Sequence, residues 1–161
     1  MTDDETSYRD SSDDAPIVCR HLLTCQSVWY DPAKVETFSL GRIVIQFYPE
    51  RGSYPAVLDR LFLYGQLYGT PGEYSLVVRL VRIELLEYDE EEEIQLDFDG
   101  KPQVWPIGRP VVVSDDEFVD QFAVLLRRIF LPIPGVYEFQ LFVEGFDEPI
   151  ARERINAKEK R

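Results

Sequence analysis

A lone histidine between two cysteines is the first place where this sequence could do chemistry. Cys19, His21 and Cys25 fall in one apolar, β-branched stretch, residues 17–30, and on an unbroken strand their spacing puts all three on one face. Thiolates and an imidazole are ligands for zinc. The spacing opposes such a site, because at about 3.3 Å per residue the two cysteine Cα atoms stand roughly 20 Å apart. That is too far to share an ion or to form a disulfide, and no fourth ligand stands at metal-site spacing. His21 is the one histidine of the chain. A Ser–His–Asp site would have to be built around it, and no Gly-x-Ser-x-Gly elbow supplies the nucleophile. The structural alternative for the three is packing, with thiols in the core and the imidazole at its margin.

The carboxylates offer a second possibility. Asp97 and Asp99 precede Gly100 as in part of a calcium loop, but in the helix-loop-helix pattern the first and last ligand positions fall on Gln95 and Pro106, which cannot serve. A looser site would join Asp97 and Asp99 to Asp115 and Asp116 of a neighbouring loop. The plain reading of Asp99-Gly100 is a tight hairpin turn. Glu90 to Glu93 are consecutive and polar-flanked, so a solvated loop is expected rather than a general acid and base, which need a carboxyl raised by burial. There is no phosphate-binding Gly-x-x-x-x-Gly-Lys loop and no Gly-x-Gly-x-x-Gly turn. Neither cofactor nor metal is expected, and the sequence points away from an enzyme.

Apolar surface is the more informative signal. In residues 61–68 one face reads Leu61, Leu63, Gly65, Leu67 and the other Phe62, Tyr64, Gln66, Tyr68. If the leucines point into a core, the aromatics point out, and Phe142 likewise sits on the polar face of the last long strand. Exposed aromatics mark interaction sites. The competing expectation is that they pack inward or are covered by another segment. Phe62, Tyr64, Tyr68 and Phe142 are the candidate interface.

These residues need strands to hold them. Pro and Gly punctuate the chain into strand-length segments, with turn signals at Asp31-Pro32, Gly69-Thr70-Pro71-Gly72, Asp99-Gly100 and Gly145. Ile43, Ile45 and Phe47 alternate, with a bulge expected near Gly41. Pro102, Pro106 and Pro110 confine residues 104–113 to an edge or irregular role. Residues 114–130 are ambiguous: Ser114-Asp115-Asp116-Glu117 has the form of a capping box, and Val119, Phe122, Leu126 and Ile129 sit at helical spacing. Yet Phe122, Val124, Leu126 and Phe130 alternate as in a strand. The expected fold is all-β, an antiparallel sandwich of about seven to eight strands, immunoglobulin-like or C2-like, with at most one short helix.

The charge is unevenly placed. The formal net charge is -13 over 161 residues. Residues 1–14 hold six acids and Arg9, residues 87–99 hold eight acids and no base, and the rest carries 16 bases and 16 acids. The acidity argues against a nucleic-acid backbone and against an anionic membrane surface. Residues 1–15 contain no Ile, Leu, Val, Phe or Trp, so a disordered acidic tail is expected there, serving solubility or docking on a basic partner. One sandwich domain is expected over residues 16–156 and a short basic tail over 157–161. No apolar run is long enough for a membrane span, and free thiols fit a reducing, cytoplasmic setting.

The run Cys19-Arg20-His21-Leu22-Leu23-Thr24-Cys25-Gln26-Ser27-Val28, the Phe38-Ser39-Leu40-Gly41 strand, the strand over residues 60–68 and the closing Phe130-Leu131-Pro132-Ile133-Pro134-Gly135-Val136-Tyr137-Glu138-Phe139-Gln140-Leu141 resemble a group of small bacterial single-domain proteins of unknown function. The resemblance spans most of residues 17–156. It implies a β-sandwich in which the stretch before Pro-Gly-x-Tyr is a strand, and it carries no activity. The sequence thus leads to a non-enzymatic sandwich acting by protein–protein association, as a homodimer or an accessory subunit. The alternative is a sandwich that binds calcium at its acidic loops, or a small molecule or glycan on the aromatic stripe.

Overall fold

The alternating and β-branched runs form strands. The computed structural model describes residues 15–31, 37–49, 53–114 and 120–159 and has no α-helix among them. The strands are β1 (Ile17–Asp31), β2 (Thr37–Ile43), β3 (Gln46–Phe47), β4 (Ala56–Gly69), β5 (Gly72–Tyr74), β6 (Leu76–Leu85), β7 (Glu91–Gln95), β8 (Asp97–Phe98), β9 (Lys101–Pro102), β10 (Val104–Pro106), β11 (Val111–Val113), β12 (Asp120–Leu131), β13 (Gly135–Val143) and β14 (Ala151–Ala157). The first sheet has the order β12-β4-β1-β2, and the second β10-β6-β13-β14-β3 with β7 also paired to β6. Two short ladders, β11-β5 and β8-β9, complete the fold. Pairing is antiparallel except between β14 and β3. The last strand reaches Ala157, one residue past the expected boundary, and residues 1–14 lie outside the described residues.

The two sheets face each other over one core. Leu61, Leu63 and Leu67 of β4 and Phe122 and Leu126 of β12 meet Leu76, Val78 and Leu80 of β6 and Tyr137, Phe139 and Leu141 of β13. Burying each such side chain contributes about 1.5–3 kcal/mol. Gly65 stands opposite Phe122, and a Cβ there would come within 2.6 Å of the Phe122 ring and 2.8 Å of the Cys19 sulfur, so only glycine leaves room for both.

Hydrogen bonds stitch the sheets together on both open sides. On one, Val44 donates its N–H to the Thr24 carbonyl at 2.8 Å, and Asn156 and Lys158 donate to the carbonyls of Ile45 and Phe47 at 2.9 Å each, so the β2–β3 crossing serves both sheets. On the other, the buried Gln103 side chain acts as a piece of strand: its amide donates to the Phe130 carbonyl at 2.8 Å, and its oxygen accepts from the Phe130 N–H at 2.7 Å. The crossing also breaks up the alternating run. Ile43, Ile45 and Phe47 do not share a buried face. Ile43 and Ile45 are 54% and 63% exposed, because the chain leaves the first sheet after Ile43 and turns Val44 inward instead.

Left-handed residues reset the alternation. His21 has φ 53°, and the β1–β4 register slips between Arg20 and Leu23, placing one extra residue in β1. In β12, Arg128 has φ 54°. The pairing passes unbroken from Arg127↔Arg60 to Ile129↔Leu58, yet the buried side chains change from even numbers (Phe122, Leu126) to odd (Ile129, Leu131). This resolves residues 120–130 as strand and explains their helical look: burial at 122, 126 and 129 is real, but a parity change in a strand produces it. The proposed capping-box acids, Asp115 to Glu117, and Val119 lie outside the described residues.

The Pro-Gly-x-Tyr motif has a structural purpose. Tyr137 is fully buried, and its hydroxyl donates to the Ile133 carbonyl and accepts from the Ile133 N–H at 3.3 Å. One side chain thus satisfies both backbone polar groups of Ile133 in the turn that launches β13, much as a tyrosine corner does.

The acidic stretch also differs from expectation. Glu91–Gln95 is a strand rather than a loop, and its acids reach across the outer face of the second sheet. Glu91 accepts both ends of the Arg154 guanidinium, at 2.8 and 2.5 Å. Glu93 accepts from Arg79 at 3.2 Å, Arg152 at 3.1 Å and Gln140 at 2.7 Å. Glu138, 1% exposed at the centre, accepts from Gln140 and Arg154 at 2.8 Å each and from Arg152 at 3.2 Å. Three arginines thus meet three glutamates, and the face is neutral. Val81 and Ile83, opposite Glu138 and Glu93 in the register, are 2% and 8% exposed on this outer face.

Burial pushes the Glu138 carboxyl up, but hydrogen bonds from Gln140 and Arg154 and the charges of Arg154 and Arg152 outweigh it and hold the group below the usual carboxylate range. A carboxyl lowered on folding adds stability above its unfolded pKa and loses it as the pH falls through its folded pKa. Unfolding free energy therefore drops in acid, and Glu138→Gln flattens that dependence in urea titrations near neutrality and in strong acid. Equal acid sensitivity in the two chains would contradict the assignment. Glu138→Ala should cost about 2–3 kcal/mol, the range for losing charge-assisted hydrogen bonds, because both arginines are nearly half exposed and water recovers part of the loss. Tyr137→Phe should cost about 1–3 kcal/mol by leaving the Ile133 N–H and carbonyl without the hydroxyl, with an unchanged denaturant slope. A loss under a few tenths would show that the hydroxyl does not hold the turn.

Candidate functional site

β4 places its side chains by simple alternation. Leu61, Leu63, Gly65 and Leu67 are buried against the core, so Arg60, Phe62, Tyr64, Gln66 and Tyr68 line the outer face of the first sheet. Their polar groups form a ladder. The Tyr68 hydroxyl donates to Gln66 at 3.1 Å, the Gln66 amide donates to the Tyr64 hydroxyl at 3.1 Å, and that hydroxyl donates to Gln121 of β12. The rings are covered from within the chain. Arg20 lies 5.1 Å over Tyr68, Arg60 lies 5.4 Å over Phe62, and Phe38 packs 5.8 Å from Tyr64 and 5.3 Å from Tyr30.

The outward direction of the aromatics is as expected, but their exposure needs correction. Tyr64 is only 5% exposed, because Phe38, Gln66 and Gln121 close around it on the same face. Phe62 and Tyr68 are half-buried, and Tyr30 is 57% exposed. Phe142 belongs elsewhere: it lies on the outer face of the second sheet with Glu138 and Gln140, under Arg79 at 5.2 Å. The four candidates therefore divide between opposite sides of the sandwich.

Three arginines that the composition alone does not single out complete this face. Arg60 precedes Phe62 by two and shares its side. Arg127 stands directly opposite Arg60 in the register, and Arg20 stands opposite Gln66. Like charges set directly across a ladder are unfavourable, so the Arg60–Arg127 pairing is a local cost. Among the described residues none of Arg20, Arg60 and Arg127 is in an ion pair, whereas Arg79, Arg152 and Arg154 all are. Arg60 was within reach of alternation; Arg20 and Arg127 required the pairing of three strands.

The residues first considered for chemistry are not brought together. Cys19 pairs with Leu67 and points to the core, while Cys25 pairs with Phe62 and lies on the outer side. The bulge at His21 reverses them, so the expectation of one shared face fails. His21 itself is exposed at the bulge. Burial pushes the Cys19 thiol up to about 11 against a backbone hydrogen bond at Gln66, and burial raises Cys25 as well. Both are protonated near neutrality and poor nucleophiles or ligands. Asp99 and Gly100 have φ 53° and 73°, as the two central residues of a type I′ hairpin turn do. Asp97 accepts from Gln95 at 2.9 Å, and Asp115 and Asp116 lie outside the described residues. Among the described residues no three His, Cys, Asp or Glu side chains are grouped to hold a metal ion, and no helix is long and apolar enough to cross a membrane.

No family model matches the chain, and no curated protein does. Among solved structures, Pseudomonas fluorescens alkylpurine DNA glycosylase AlkC bound to DNA containing an abasic site analog is similar over 89% of this chain and 31% of that one, with a TM-score of 0.49 and 11% identity. This chain thus spans less than a third of that protein. The similar protein is an enzyme, and on that finding the expectation of a non-enzymatic protein is withdrawn. At this TM-score the likeness carries no argument about an activity or a ligand of this chain.

Proposed function

We propose that this protein works by protein–protein association through the outer face of its first sheet, as a homodimer or as an accessory subunit of a larger assembly. The observation that carries the reading is the combination on one face of half-buried aromatics, Phe62 and Tyr68, with three arginines that no carboxylate of the described chain neutralises. Tyr, Phe and Arg are the side chains enriched at interface centres. A net charge of -13 favours a protein over a nucleic-acid backbone as partner. A glycan or small molecule has less support, since the hydroxyls of Tyr64 and Tyr68 are already engaged with Gln121 and Gln66. Two free thiols facing opposite ways fit a cytoplasmic, reducing setting. The resemblance to small bacterial sandwich proteins belongs to the same reading and supplies no activity.

The test uses Phe62→Ser together with Tyr68→Ser, which spares the engaged Tyr64. Sedimentation velocity of the labelled chain, in buffer and in extract of the cells that make it, reads both forms of association. The native chain should sediment faster than a monomer, and the double variant should bind at least about tenfold more weakly, a loss of about 1.4 kcal/mol, with its melting transition still cooperative. Identical sedimentation of the two chains would overturn the proposal.

A further inference from the structure

We infer that residues 1–14 of this chain dock on the outer face of the first sheet and compete there with a partner; this rests on the association reading. Three observations lead to it. The first is charge: residues 1–14 hold six carboxylates and one arginine, while the face holds Arg20, Arg60 and Arg127, none of them in an ion pair among the described residues. Its outward positions on β4 from 60 to 68 and on β12 from 121 to 127 include no Asp or Glu.

The second is position. The described chain begins at Ala15, and the Pro16 carbonyl accepts from the Thr70 N–H at 3.1 Å. Two residues on, Val18 pairs with Tyr68 and is 50% exposed. The acidic segment therefore joins the fold at the Tyr68–Arg20 end of the face. The third is reach. Fourteen extended residues span about 46 Å, and Tyr68 to Arg60 along β4 is about 26 Å.

Residues 1–14 contain no Ile, Leu, Val, Phe or Trp, so their attraction is between carboxylates and guanidiniums. Single contacts of this kind are weak and screened by salt. Covalent attachment makes the docking intramolecular and gives it a high effective concentration. A partner must displace the segment, which sets a threshold that rises at low salt.

The experiment compares the full chain with a full-length variant in which Asp3→Asn, Asp4→Asn, Glu5→Gln, Asp10→Asn, Asp13→Asn and Asp14→Asn remove the carboxylates. The side-chain Nε–Hε resonances of Arg20, Arg60 and Arg127 are recorded at about 20 mM and about 0.5 M salt, where screening lengths differ several-fold. In the native chain these resonances should move with salt. In the neutralised chain they should stand at the high-salt positions throughout, and that chain should associate more tightly. Coincident arginine resonances in the two chains at low salt would overturn the inference, as would shifts that grow with protein concentration, which put the segment on a second copy. Unmoved resonances with association still lost in the Phe62/Tyr68 variant remove the docking and keep the face. Moved resonances in a chain that never associates remove the association reading instead.

Discussion

Successive side chains of a strand point to opposite faces, so one inserted or rotated residue reverses the placement of all that follow. This counting rule governs both surfaces of the protein. Left-handed backbone at a non-glycine residue costs about 1–2 kcal/mol, yet His21 and Arg128 both adopt it, and each sits where a long strand must change what it faces. The bulge at His21 lets β1 send Cys19 to the core and Cys25 outward. The reset at Arg128 lets β12 bury Leu126 and Ile129 while presenting Gln121, Leu125 and Arg127 on the side of Phe62 and Tyr64. The aromatic and basic face follows from alternation on β4, on β1 up to its bulge and on β12 up to its reset, which sends these side chains to one surface.

The two outer faces then use charge in opposite ways. On the second sheet, a glutamate that would be costly to bury alone is surrounded by Gln140, Arg152 and Arg154, and the acids of β7 complete the neutralisation. Charged side chains there act as a cover for Val81 and Ile83, and little is left for a partner to recognise. On the first sheet, arginine stems and guanidiniums lie over aromatic rings with no carboxylate among the described residues to hold them. A guanidinium over a ring keeps its charge available. The overall acidity conceals this, because the excess acids lie in residues 1–14 and near β7 while the basic face belongs to β1, β4 and β12.

Much of the fold was legible. The Leu61, Leu63, Leu67 alternation gave the inner side of β4, and the proline-broken segment became short edge strands. The Asp99-Gly100 pair formed its turn. What could not be read was where counting restarts. Nothing in the local sequence marks His21 or Arg128 as left-handed, so plain alternation puts Cys19 and Cys25 on one face, and the local pattern of residues 114–130 reads equally as helix and as strand. The aromatic face was legible in direction but not in exposure, since the cover on Tyr64 comes from Phe38 and Gln121, 26 and 57 residues away in sequence. Nor did alternation reveal that Phe142 lies on the other sheet, because parity says which side of its own strand a residue takes and nothing about which sheet that strand joins. The acids of β7 looked solvated because their partners, Arg152 and Arg154, are more than 50 residues downstream.

The central claim is that the outer face of the first sheet is where this protein meets its partner. Hydroxyl-radical footprinting inside the cells that make the protein, referenced to the dilute purified chain at high salt, tests it most directly. The account predicts that Tyr68, Phe62 and Tyr30 lose reactivity in the cell while Tyr88, 93% exposed beside the second sheet's neutralised face, keeps its own. Equal reactivity of the first three in cell and buffer, or protection centred on Tyr88, would contradict it.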